Sequence, residues 1–296
     1  MTYFAVENSD VRSLVSEAAQ FLATGGFQDC WIAMLDTAFD HDRLPYGWGP
    51  GSAPLYQVGR LEALTSFSPM LWQLPTHNKS RLEEELTSLI RHASGRPMLS
   101  FLRSNLGAQA LAQRLQSLLE IHSTDQQSFL LRLADTRVSP AIARAFCPEH
   151  WALLTRDIDC WVIVNWLAQL ESLDLPAAVD PPSAVPEAIV LSDPELDTLL
   201  RLGEPDALTQ SLYEGFPELL PTRQRADFYL SMLDVCTFAR QHGIAAFPEL
   251  VSLAVAAVTT NGKVLMNPGL AAWLEARAWP SGHFEDGLTE FMEMAE

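Results

Sequence analysis

The feature that most constrains this chain is a change of rhythm along it. Up to residue 172, short apolar runs alternate with stretches of helical spacing; after a proline-rich stretch, nearly every segment is helical. "CWIAMLD" at 30–36 is an almost continuous apolar run, the pattern of a strand buried on both faces. "SPMLWQL", "RPMLSFLRS", "SFLLRLA" and "CWVIVNWL" repeat it, which gives about five strands. Between them lie "DVRSLVSEAAQFLA" behind a Ser9-Asp10 cap and "NKSRLEEELTSLIRHAS" with Asn78 as cap and Gly95 as stop. "LGAQALAQRLQSLLEIHS" reads as a long helix, and "SPAIARAFCPEHWALLT" as a helix interrupted at Pro148. Strands separated by helices predict an α/β lobe over 1–172, with strand order and direction left open.

Residues 173–189 then hold Pro176, Pro181, Pro182 and Pro186. Proline at this density disfavours helix and sheet alike, so this stretch is the expected linker. Over 190–296 the expectation is an all-α lobe. "DPELDTLLRLG" closes at Gly203, and "EPDALTQSLYEGF" starts a second helix. "TRQRADFYLSMLDVCTFARQHG", "FPELVSLAVAAVTTNG", "NPGLAAWLEARAW" and "HFEDGLTEFMEMAE" follow.

Charge shifts at the same place. The chain carries −18 in all, with a net of −5 over 1–172 and −13 over 173–296. Such a surface repels phosphate backbones, so nucleic acid is an unexpected partner, whereas a basic protein would be steered to the second half. No apolar run nears the roughly 20 residues needed to span a bilayer. The opening "MTYFAVENSDVRS" lacks a basic segment ahead of an apolar core. The expectation is a cytoplasmic protein without a membrane partner.

Motifs for chemistry are sparse. Cys30, Cys147, Cys160 and Cys236 fit no CxxC spacing and read as free thiols. There is no GxSxG elbow and no phosphate-cradling loop, and the only lysines are Lys79 and Lys263. Asp40-His41-Asp42 follows the first strand in a loop, a place where catalytic groups often lie. A small hydrolase using that loop is the alternative function, although no further ligand stands at metal-binding spacing. His92, His122 and His242 read as ring partners of helix-end carbonyls. Trp31, Trp72, Trp161 and Trp166 belong to apolar runs and read as core. Trp48, in a Gly- and Pro-rich loop, and Trp273 and Trp279, near the C-terminus, are candidate partner-binding anchors. No cofactor or metal is expected.

Asp135 and Arg137 end the apolar run "LLRLADTRV" just before a helix. An Asp there caps backbone amides and an Arg pairs with it, so both read as structural. The same order (apolar strand, Asp-x-Arg, helix, aromatic-rich segment) resembles the type VI secretion effector-chaperone family, the Tap or Tec adaptors, long catalogued as a domain of unknown function. Members commonly carry Asp-Pro-Arg, and Thr136 stands here in place of the Pro. "CWIAMLDTAFD" resembles the family's opening strand running into an aspartate, "SPMLWQL" a later strand, and "FCPEHWALLT" its last helix. The resemblance covers about residues 27–170, with a helical lobe after it, and Gly59 matches the glycine after the first loop.

The resemblance implies an adaptor rather than an enzyme. Such a protein binds a secreted effector, helps load it onto the spike protein of a contractile secretion apparatus, and stays in the cytoplasm. Asp135 and Arg137 carry over as family-motif residues with no binding role.

Overall fold

The computed structural model describes residues 3–23, 30–40, 44–49, 51–57, 59–176, 188–277, 279 and 283–295. The chain divides into two units, one covering Val6–Leu202 and the other Gly203–Glu296 together with Tyr3–Ala5.

Six strands form the main sheet of the first unit: β1 (Cys30–Leu35), β2 (Ala53–Pro54), β3 (Met70–Gln73), β4 (Leu99–Ser104), β7 (Ile158–Val164) and β8 (Leu170–Ser172). Their order is β2-β3-β1-β4-β7-β8, and every pairing is antiparallel. A second sheet joins β5 (Glu120–Ser123) to β6 (Ser128–Leu130), antiparallel, and to β9 (Ile189–Leu191), parallel. All five expected strands are present, but the fourth, β6, belongs to the small sheet.

Because β1 lies in mid-sheet, its side chains alternate between two packed faces. Ile32 and Met34 join Leu71, Leu102, Trp161 and Ile163 in one core. That core also takes Leu111 and Leu115 of α3 (Ala108–Gln116), Ile142 of α4 (Val138–Ala145) and Trp151 of α5 (Pro148–Thr155). Trp151 stacks on Trp161 at 5.9 Å. Trp31, Ala33 and Leu35 are equally buried on the opposite face. There α1 (Val11–Leu22) brings Phe21 to 5.8 Å from Trp31, and α2 (Lys79–Ala93) packs beside α1. Each large apolar side chain buried this way contributes about 1.5–3 kcal/mol. The caps are those expected: Asp10 accepts from the Ser13 amide, and Asn78 from Arg81.

Three boundaries differ from the sequence pattern. The expected long helix after Gly107 ends at Gln116, and "EIHS" becomes β5. His122 therefore sits on a strand, 3.0 Å from Ser128 Oγ, rather than at a helix end. Both described ends of the expected linker are anchored in the first unit. Leu173 is buried and donates its amide to Trp161 O, while Ile189 is buried in β9. Pro181, Pro182 and Pro186 lie outside the described residues. Finally, "DPELDTLLRLG" and "EPDALTQSLYEGF" form one helix, α6 (Asp193–Gly215), through Gly203 and Pro205. Its early Leu196 and Leu199 pack on the α/β core, and its later Leu208 and Leu212 are buried in the helical core. Apolar anchoring of both halves outweighs the local cost of glycine and proline.

The helical unit adds α7 (Arg225–Gln241), α8 (Phe247–Thr259), α9 (Pro268–Ala276) and α10 (Phe284–Ala295). Its core gathers Met232, Val235, Cys236, Leu253, Leu270 and Leu288. On α7 the face turned inward carries Phe228 and Met232, leaving Leu230 exposed. Among the described residues, no helix is long and apolar enough to cross a membrane.

Candidate functional site

Asp36 directly follows β1 and Asp135 ends the irregular segment after β6, and the two use the same local grammar. Asp36 Oδ1 accepts the Ala38 amide at 3.0 Å and starts a 3₁₀ turn over Thr37–Asp40. Asp135 Oδ1 accepts the Arg137 amide at 3.1 Å, and its carbonyl takes the amides of Val138 and Ser139 at the start of α4. Each is an Asx turn, in which a short carboxylate replaces the backbone acceptor that the turn lacks.

Arginines join the two turns. Arg137 grips Asp135 through Nε to Oδ1 at 3.0 Å and Nη2 to Oδ2 at 2.7 Å. Arg132 donates to Asp36 Oδ2 at 2.8 Å and lies 3.5 Å from Asp135 Oδ2, so one guanidinium serves both carboxylates. Both guanidinia also stand over the Phe39 ring, at 4.9 and 5.5 Å. The aspartates are buried, whereas the Arg132 and Arg137 side chains keep 36% and 24% of their exposure. Burial pushes the Asp36 carboxyl up, with the Asp135 charge adding, against the pull of Arg132. Burial depresses the Arg132 guanidinium, but Asp36 and Asp135 outweigh it and leave it raised. The neighbouring Tyr56 phenol is pushed up to about 12 by burial and then by Asp36.

A second buried ion group adjoins this one in sequence. Asp40 Oδ1 lies 2.6 Å from Arg96 Nη1 and 2.8 Å from His92 Nε2. Arg96 also donates to the carbonyls of Phe39 and His92. Burial pushes Asp40 up, yet bonds from His92 and Arg96 together hold it below the ordinary carboxylate range. The ring of His92 thus binds a distant carboxylate rather than a helix-end carbonyl. In the alternative Asp40-His41-Asp42 loop, His41 and Asp42 lie outside the described residues, and Asp40 is committed to an ion pair. Nothing among the described residues supports a hydrolase there.

Cys147, His150 and Glu195 bring a sulfur, a ring nitrogen and a carboxylate oxygen within 4.8 Å of one another, a set that a metal ion favours. Glu195, however, is fully engaged. Its Oε1 meets the Cys147 amide at 2.8 Å and His150 Nδ1 at 2.7 Å; its Oε2 takes the Ser192 amide and hydroxyl. Burial opposes its charge, but the Cys147 amide, Ser192 and His150 outweigh it and hold the carboxyl at about 2. The three residues form a clamp between the starts of α5 and α6. All four cysteines are free thiols.

The tryptophans expected as anchors are half-buried. Trp48 packs edge-on against Tyr46 at 4.8 Å, and Tyr46 donates to Glu85 and lies 5.3 Å from His92. Trp273 and Trp279 lie 4.6 Å apart, and both contact Phe284. A Cβ at Gly287 would come within 3.0 Å of Trp279 and 3.1 Å of Trp273, so glycine leaves room for the pair across α10. These two rings pack into the helical core and leave only part of their surface open.

Arg132 and Asp36 complete the Asp135–Arg137 group without having been singled out as site residues. Their signals were an arginine inside an apolar run and an aspartate at a strand end, both of which need a partner once buried. Gly59 has a φ of +63° with open space around it, a left-handed position suited to glycine.

A family model described as Domain of unknown function (DUF4123) matches residues 31–153. That span holds both ion groups, from Asp36 to Arg137, and ends within α5. No curated protein and no solved structure matches the chain.

Proposed function

We propose that this protein is a cytoplasmic adaptor of type VI secretion, which binds an effector and helps load it onto the spike protein. The observation that carries this reading is the DUF4123 match over 31–153, a family known for effector adaptors, coinciding with the motif order that resembles them. The chemistry is compatible. The buried carboxylates Asp36 and Asp135 of the matched span are spent on holding loops, and the chain as a whole is strongly acidic.

Co-purification tests this. A tagged copy expressed with the neighbouring effector and spike genes retains the effector, and deleting the adaptor gene abolishes secretion of that effector alone. A copy that retains neither protein, in cells whose effector secretion is unchanged by the deletion, would overturn the reading.

A further inference from the structure

We propose that a groove in the helical unit, between α8, α10 and the end of α6, docks a basic amphipathic helix of the cargo protein. This rests on the adaptor reading and assigns it a surface. The groove encloses about 650 Å³. Its floor is apolar, formed by Phe216, Val251 and Val255 together with Leu288 and Met292, and Phe247 at its edge is 41% exposed. Val251 and Val255 continue the face begun by Phe247 at a spacing of four, and Leu288 and Met292 do the same on α10. Two helices side by side thus offer a furrow between ridges, the shape that receives a third helix. At about 18–20 Å, each wall matches roughly three turns of a guest.

Charge selects the guest. Glu285 and Glu293 stand on the rim. Across α8 and α10 the charged residues are Glu249, Glu285, Asp286, Glu290 and Glu293, with no lysine or arginine. Lys263 lines an adjoining hollow that shares Thr259 and Met292 with the groove. An apolar floor between acidic rims fits a helix with one apolar stripe flanked by lysine and arginine. A second copy of this chain, itself at −18, would bring like charge to the rim, and the chain's own residues 177–187 carry Asp180 and Glu187 but no base.

The test uses the full chain and a labelled leucine–lysine peptide of about 14 residues with apolar positions at helical spacing, followed by anisotropy. A leucine–glutamate peptide of the same pattern is the control. The wild type binds the lysine peptide and not the glutamate one. Glu285→Lys with Glu293→Lys, at exposed positions, and Ser252→Trp, which fills the floor, each weaken binding about 10-fold or more. Circular dichroism confirms that the fold survives, and the charge reversal keeps the test valid if Ser252→Trp does not fold. Equal binding of both peptides, or undiminished binding by the variants, would overturn the proposal. The same variants are then co-expressed with the effector. Loss of effector supports the groove as its dock. Retained effector alongside lost peptide overturns that assignment and leaves the adaptor reading standing, whereas a wild type that captures no effector sinks the adaptor reading itself.

Discussion

In the α/β unit, Asp36, Asp40 and Asp135 lie beneath the surface with arginine or histidine beside each, and Arg96 is buried with them. In the helical unit the one buried polar side chain among the described residues is Thr209, which donates to the Pro205 carbonyl of its own helix. Its ion pairs, such as Arg240–Glu204, stay near the surface. The contrast follows from backbone needs. A helix satisfies its own amides, so a helical unit closes by apolar packing alone. The strand-to-turn corners at Asp36 and Asp135 leave amides without regular partners, and buried carboxylates supply them. Buried charge in the first unit is therefore committed to architecture, while the second unit keeps its charge at the surface.

The largest effect is expected from breaking the buried group. Asp135→Ala removes the acceptor for the Arg137 amide and guanidinium and strands part of Arg132, at a cost of about 3–5 kcal/mol. Denaturant unfolding measures this, and hydrogen exchange locates it in residues 30–164. Leu253→Ala, in the helical core, leaves a cavity and costs about 3 kcal/mol, with lost protection confined to the helical unit. If either change deprotected the other unit equally, the contrast between them would fail. The pair Asp36→Leu and Arg132→Met sharpens the point: the double variant costs less than Arg132→Met alone, which leaves the buried Asp36 carboxylate without its partner.

How much of this was legible in the sequence depends on range. The caps at Asp10 and Asn78 and the five apolar runs were readable, since each is set by residues within one or two turns. β5 was hidden in "LLEIHS", where Leu118 and Leu119 continue the helical spacing; it becomes a strand by pairing with β6 just after it and with β9, far along the chain. The continuity of α6 was hidden because Gly203 and Pro205 spell a break locally, and apolar contacts of both halves override it. Asp135 and Arg137 were visible as a pair, but the salt bridge from Arg132 to Asp36 joins residues 96 positions apart. No spacing rule reaches that far. The mutual packing of Trp273 and Trp279 was not legible either, because Gly287, which makes room for the pair, lies on another helix.

The smallest effect concerns the clamp that ties the start of α6 into the α/β unit. Glu195→Gln keeps the size but not the charge, weakening the bonds to Cys147, His150 and Ser192 by about 1–2 kcal/mol at neutral pH. The sign with pH follows from the depressed carboxyl. Its folded value of about 2 lies below the ordinary 4.5, so its contribution is full above 4.5 and lost as pH falls toward 2. The gap in melting temperature between wild type and variant is thus widest near neutrality and closes across that acid window. A gap unchanged by acid would mean that shape, rather than the charge on Glu195, holds the start of α6 in the sheet-bearing unit, and the contrast between buried charge that builds the first unit and surface charge on the second would have to be redrawn there.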